Sequence, residues 1–379
     1  MPQPSWPCAL LAFAALNCAT PKSGAAPAPA ASAATAAAPA RHPWKSGDPI
    51  PSLAKAYQGQ FLVGAAVNPG MVLMGDSHVF LEHQFNVVTA ENEMKPLTLA
   101  KKEGVYEFAM ADALVDWANK SGLKVRGHCL VWHQQAAPWM FTKEAKPVSR
   151  ELLVARMRTY IHDVVGHFKG RVWAWDVVNE AFPVGEPSID QENGWRKSEW
   201  YKIIGPDYIA LAFQFAHEAD PDALLFYNDY ETQSPEKRRL ILELVRSLQK
   251  QGIAIHGIGH QAHYGLGRPA ASELEETIQE VAKLGLRNHV TELDISMRDH
   301  WGAPMPVVTD AIAAEHARRY AEFFRMFRRN KDKLDAVVLW GVNDETSWLK
   351  PPDEPLLFSE FEPKPQFWAV YDEASAALQ

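Results

Sequence analysis

The segment Val172-Trp173-Ala174-Trp175-Asp176-Val177-Val178-Asn179-Glu180 is apolar and β-branched for most of its length and ends in a carboxylate. Long amphipathic stretches lie on either side, Ser149 to Phe168 before it and Tyr208 to Ala219 after it. A short apolar run between two such stretches reads as the strand of a βα unit in a parallel sheet. The same alternation extends in both directions. Strand candidates are Phe61 to Val67, Val87 to Ala90, Val125 to Leu130, Val172 to Val178, Leu224 to Tyr227, Gly257 to Gln261, His289 to Thr291 and Ala336 to Trp340. Helix candidates between them include Ala109 to Ser121, Pro235 to Gln251, Ala271 to Leu284 and Ala311 to Arg328. Eight strand–helix units predict an α/β fold closed into a (β/α)8 barrel, with an open doubly wound sheet as the structural rival.

Two of these runs carry the same ending. Asn179-Glu180 closes the fourth, and Val290-Thr291-Glu292-Leu293-Asp294-Ile295 places Glu292 at the seventh. In a parallel barrel the carboxyl ends of the strands form the mouth that carries chemistry, so the two acids are expected to face one another there. Glycosidic cleavage passes through an oxocarbenium-like state: one carboxyl protonates the leaving oxygen, and the other attacks or stabilises the sugar carbon. A single glutamate at a strand end is more often a helix-cap neighbour or a rim ion pair. Two of them, with Asn, Gln, His and Trp at the other strand ends, favour chemistry.

Composition bounds the substrate. The net charge is −8 and the basic residues are scattered, which excludes the basic footprint of nucleic-acid binding and suits a neutral ligand. Thirteen Trp are enough to supply flat platforms for sugar faces as well as core. Of three Cys, Cys8 and Cys18 lie near the start and Cys129 far inside, so neither a disulfide framework nor a zinc ribbon can be drawn.

The first residues read as processing signals. The apolar run Cys8 to Leu16 is too short to span a membrane but fits the hydrophobic part of a secretory signal, although no Lys or Arg precedes it. Ala15-Leu16-Asn17-Cys18 loosely resembles the box before a lipidated cysteine, which makes a lipid anchor at Cys18 the alternative to plain cleavage. Ala, Pro and Ser dominate from Thr20 to Pro43, the composition of an extended tether. The expectation is a leader over 1–19, a linker over 20–43 and one catalytic domain over 44–379, secreted or at the cell surface, acting as a monomer without a membrane span.

Several segments occur together in order: Glu91-Asn92-Glu93-Met94-Lys95, Arg126-Gly127-His128, Leu130-Val131-Trp132-His133, Trp175 to Glu180, Tyr227-Asn228-Asp229-Tyr230, His260-Gln261-Ala262-His263, Thr291-Glu292-Leu293-Asp294, Trp340-Gly341-Val342 and Ser347-Trp348. With them, the chain from about Trp44 onward resembles the xylanases of glycoside hydrolase family 10. The resemblance implies retaining hydrolysis of internal β-1,4 bonds in xylan and xylo-oligosaccharides, with Glu180 as acid/base, Glu292 as nucleophile and no cofactor or metal. It further implies that Asn179 bonds the sugar 2-OH at the cleavage point. His263, oriented by Asp294, is implied to bond the nucleophile, keeping Glu292 ionised while Glu180 stays protonated. Glu91, Asn92 and Lys95 match residues that bind xylose hydroxyls on the non-reducing side. His128, Trp132, Gln135 and Gln261 match contacts near the cleavage subsite, and Trp340 and Trp348 match an aromatic wall over the sugars. Pro96 after Lys95 and Ala136-Ala137 before Pro138 depart from the common pattern, which points to altered peripheral subsites.

Three other functions compete. A metal-dependent hydrolase would use His128, His133, His260 and His263; strand alternation argues against it, since residues five apart on an extended strand face opposite ways. A sugar-binding protein without catalysis would have no need of both glutamates. The same chemistry on another β-glycan differs only in whether the site rejects a hydroxymethyl group.

Overall fold

The computed structural model describes residues 43–190, 193–300 and 302–378. The expected leader, the lipid-anchor candidate Cys18 and all but the last residue of the expected linker lie outside these, as does Trp301.

Eight strands form the barrel: β1 Leu62–Val67, β2 Val87–Ala90, β3 Lys124–Val131, β4 Ala174–Asn179, β5 Leu224–Asp229, β6 Gly257–His260, β7 Arg287–Ser296 and β8 Leu334–Leu339. Each pairs in parallel with the next, and β8 pairs with both β7 and β1, so the sheet closes on itself. The open-sheet rival is thereby excluded. The surrounding helices are α1 Ser77–Gln84, α2 Ala109–Lys120, α3 Arg150–His167, α4 Tyr208–Ala219, α5 Pro235–Lys250, α6 Ala271–Lys283, α7 Asp310–Arg329 and α8 Pro365–Glu373. Among the described residues no helix is long and apolar enough to cross a membrane.

Local chemistry sets the helix ends. The side chains of Ser149, Ser234 and Thr309 accept from Leu152 N, Lys237 N and Ile312 N, capping α3, α5 and α7. Along α5, Leu240, Ile241, Leu244, Val245 and Leu248 are buried, one stripe facing the sheet.

The strands alternate between two environments. Val88, Val337 and Leu339 belong to the large apolar layer between sheet and helices, whereas Val87, Ala336 and Val338 form a separate cluster with Leu62 and Trp173. That division follows the period of two along a strand and places the second group inside the barrel. Packing between strands is close: a Cβ on Gly127 would stand 2.3 Å from the ring of its register partner Trp175.

Three elements differ from expectation, β7, α1 and α8, the last of which was not among the helix candidates. β7 runs for ten residues where three were expected, because the residues that extend it, among them Asn288, Glu292 and Asp294, are polar yet buried. Its far end also pairs with the short strand His263–Gly265, Asp294 opposite His263. Helix α1 was not expected; only Leu81 and Gln84 of it are buried, too few to make a periodic signal.

Candidate active site

The mouth is assembled from strand ends in register. Asn179 at the end of β4 pairs with Asn228 of β5, and Asp229 pairs with His260 of β6. Register shifts interrupt β3 between His128 and Val131 and β4 between Asp176 and Val178, irregularities of the kind that re-aim side chains beside a site. Glu180 is the first residue beyond β4 and has a φ of 58°. A non-glycine residue in that left-handed region carries strain on the order of 1–3 kcal/mol and persists only where its surroundings over-determine it.

The two glutamates are joined by a line of amides. Glu180 Oε1 accepts from Gln261 Nε2 at 2.9 Å and from Asn179 Nδ2 at 3.1 Å, while its Oε2 accepts from Trp132 Nε1 at 2.9 Å. Asn179 Oδ1 in turn accepts from Asn228 Nδ2 at 2.9 Å, and the same Nδ2 donates to Glu292 Oε1 at 2.7 Å. Thr291 Oγ1 donates to Asn228 Oδ1 at 2.7 Å, which fixes how that amide is turned. Asn228 stood within the quoted segment Tyr227 to Tyr230 but was given no role there.

On the other side of Glu292, His263 Nε2 lies 3.2 Å from Oε2, and His263 Nδ1 lies 3.0 Å from Asp294 Oδ2. Trp348 Nε1 also donates to Asp294 Oδ2, at 2.7 Å. Burial disfavours charge on His263, but the two carboxylates outweigh it and raise its pKa to about 10. The ring is therefore protonated at neutral pH and donates from both nitrogens.

The glutamates differ in ionisation. Burial raises the Glu180 pKa from its ordinary value, opposed by its bond from Gln261 and reinforced by the charge of Asp229. Burial opposes charge on Glu292 as well, yet the hydrogen bond from His263, the charges of His128 and His263, and the bond from Asn228 together lower its pKa. Their side chains are 12% and 6% exposed, so solvent screens neither strongly. The surroundings thus push the two carboxyls in opposite directions, Glu180 toward the protonated form and Glu292 toward the ionised one.

Beneath this pair lies a second buried charge system. His128 Nδ1 donates to Asp176 Oδ2 at 3.0 Å, and Arg126 grips Asp176 through Nη1 at 3.1 Å and Nη2 at 2.6 Å. Burial opposes ionisation of Asp176, but Arg126 and His128 hold its pKa at about 2. Arg126 Nε donates further down to His289 Nδ1 at 3.1 Å. None of Arg126, Asp176 and His289 was named as a site residue.

The alternation argument for His133 does not hold. β3 ends at Val131, so His133 lies past the extended segment, and its Nδ1 comes to 3.8 Å from Glu180 Oε2 while His128 Nδ1 stands 4.0 Å from Glu292 Oε1. Both histidines reach the carboxylates. The metal-site alternative is weakened on other grounds: His260 is engaged by Thr232 and Asn288, and among the described residues no three His, Cys, Asp or Glu are grouped as a metal centre needs.

The remaining expected residues surround the pair. Lys95 Nζ bonds Asn92 Oδ1 at 3.1 Å and lies over the rings of Trp132 and Trp340, 5.2 and 5.9 Å from their centroids. Glu91 directly follows β2, its N–H donating to Val67 O at 3.0 Å. Trp340 follows β8 with its ring 5.4 Å from that of His128, and Trp348 is 45% exposed with its ring 5.0 Å from that of His263. Gln135 is held through its carbonyl, which accepts from Leu97 N at 2.7 Å; no hydrogen bond ties its side chain to either glutamate.

Residues 52–373 match the sequence profile of Glycosyl hydrolase family 10. The chain is 42% identical over 332 residues to the endo-1,4-beta-xylanase of Geobacillus stearothermophilus, covering 85% of this chain and 98% of that protein. It is 39% identical over 333 residues to endo-1,4-beta-xylanase A of Caldicellulosiruptor sp. (strain Rt8B.4), covering 85% of this chain but only about half, 48%, of that longer protein. The crystal structure of xylanase B from Clostridium stercorarium F9 superposes with a TM-score of 0.81 at 39% identity, over 85% of this chain and all of that one. A closed barrel, two glutamates at its mouth whose pKa values are shifted in opposite directions, and a family match over nearly the whole described chain agree: this protein belongs to glycosyl hydrolase family 10.

Proposed function

We propose that the protein is an endo-1,4-β-xylanase that hydrolyses internal bonds of xylan and xylo-oligosaccharides with retention of configuration. What carries the reading is the line of amides that joins Glu180 to Glu292, whose surroundings shift their pKa values in opposite directions. Glu180, protonated, gives its proton to the glycosidic oxygen as Glu292 attacks the anomeric carbon; the leaving chain departs as an alcohol and a glycosyl ester forms on Glu292. Glu180, now a carboxylate, takes a proton from water as that water attacks the same carbon, which frees Glu292 and restores both groups.

The surroundings fit these steps. Asn179, anchored by Asn228 and Gln261, bonds the sugar 2-OH in this reading, a contact that strengthens as charge develops on the ring. His263 and Asp294 keep Glu292 anionic until it attacks. Glu91, Asn92, Lys95, His128, Gln135 and Gln261 bind hydroxyls of a neutral polyol, and Trp132, Trp340 and Trp348 provide apolar faces for the sugar rings. Export as a secreted or surface enzyme belongs to the same proposal and rests on the signal-like run Cys8 to Leu16.

Incubation of the purified protein with xylan and, separately, with carboxymethyl cellulose tests the substrate. Rapid appearance of short xylo-oligosaccharides, with little cleavage of the cellulose derivative, is expected. Cleavage of the glucan alone would retain the two-carboxylate chemistry and overturn the xylan assignment.

A further inference from the structure

We infer that Arg196 is a positioning residue for the acid, holding the strained backbone of Glu180 so that its carboxyl points at the glycosidic oxygen. Four backbone polar groups flank that carboxyl, and all four are bonded. Glu180 N donates to Asn228 O at 2.9 Å, and Ala181 N donates to Tyr227 Oη at 2.9 Å. The other two depend on Arg196: its Nε donates to Glu180 O at 2.8 Å, and its own N–H donates to Ala181 O at 2.7 Å.

The guanidinium is itself fixed before it reaches Glu180. Nη1 donates to Glu186 Oε2 at 2.8 Å and to Ser188 Oγ at 3.3 Å; Nη2 donates to Tyr230 Oη at 2.8 Å and to Glu186 Oε1 at 3.3 Å. Tyr230 Oη closes the cluster by donating to Glu186 Oε1. Arg196 is 6% exposed, so its fork is confined to one orientation by partners on two faces. None of these groups touches either carboxylate oxygen of Glu180 in a hydrogen bond. Their action runs through the peptide: without the Nε donor, the Glu180 carbonyl loses its partner and the left-handed residue is free to relax, turning the carboxyl away.

The inference rests on Glu180 being the acid, and the test separates the two claims. Turnover is measured on xylan and on a dinitrophenyl β-xylobioside, whose leaving group departs without a proton. The proteins are the wild type, Glu180→Ala, Arg196→Met, Arg196→Lys and Glu186→Gln. Arg196→Met is expected to lose about 10²-fold in kcat/KM on xylan, the scale of an ångström-sized misplacement, and less than about threefold on the aryl substrate. On that substrate kcat and KM fall together, because the displaced carboxylate also serves water poorly in the second step. Arg196→Lys recovers part of the loss. Glu186→Gln, at a side chain 40% exposed and so safe for folding, gives the same pattern on a smaller scale. Equal losses on both substrates for the Arg196 and Glu186 variants, with Glu180→Ala still selective for xylan, would overturn the positioning role. A Glu180→Ala protein that loses both substrates equally would overturn the acid assignment itself, and the inference with it.

Discussion

His263 Nε2 stands 3.2 Å from Glu292 Oε2, and the opposite nitrogen of the same ring is held by Asp294 at 3.0 Å. The imidazolium is thus placed to keep one glutamate charged in a largely dry site, while the histidine beside the other, His133, has its pKa lowered by burial to about 3 and brings no charge. The asymmetry between two residues of the same type comes from this contact more than from any difference in burial.

Asp294→Asn removes the charge that keeps His263 protonated. The His263 pKa then falls from about 10 toward its ordinary range, and Glu292, less well supported, rises. The pH profile of kcat/KM should narrow from both sides, its acid limb moving up and its alkaline limb moving down. An unchanged profile would remove the His263–Asp294 pair from control of the nucleophile.

The same shift has a stability consequence. In the unfolded chain His263 titrates near about 6.5, whereas in the folded protein it keeps its proton up to about 10. Its contribution is complete below the lower value and is lost as pH rises through that window. Melting temperature should decline between these pH values, and His263→Gln should flatten the decline.

Loss of either glutamate should be distinguishable. Glu292→Ala is expected to abolish turnover of every substrate, whereas Glu180→Ala loses about 10²- to 10⁴-fold on xylan, the range of general acid catalysis. Residual xylan cleavage by Glu292→Ala at a rate near that of the wild type would displace Glu292 as nucleophile.

Lys237 and Asp229 form an ion pair at 3.0 Å with both side chains fully buried, and the Lys237 ammonium also lies over the Tyr230 ring. Lys237→Met leaves the Asp229 charge uncompensated and should destabilise the protein by about 3–5 kcal/mol in denaturant unfolding. Asp229→Asn combined with Lys237→Met should recover much of that. A single variant within about 0.5 kcal/mol of the wild type would contradict the burial of this pair.

The barrel was legible because most strands are apolar runs with amphipathic segments between them; their number suggested closure, and the pairing of β8 with β1 decided it against an open sheet. β7 was cut short because the residues that extend it, among them Asn288, Glu292, Asp294 and Ser296, are polar though buried; the apolar run that marks a strand fails where the strand is itself the site. Glu180 and Glu292 stood out as charges ending apolar runs. Asn228 and Arg196 did not, since the role of each depends on three-dimensional placement: the register that sets Asn179 opposite Asn228, and the return of the segment after Phe182 that lays a guanidinium on the Glu180 carbonyl. His133 was misplaced for a related reason, because strand geometry was extended two residues beyond where β3 ends.

The most direct test of the account is the anomeric configuration of the first product, followed by proton NMR in the seconds after enzyme meets xylo-oligosaccharide. Attack by Glu292 followed by attack of water predicts the β-anomer first, with the α-anomer growing only as mutarotation proceeds. Initial release of the α-anomer would mean a single displacement by water, and the nucleophilic role of Glu292 would be contradicted.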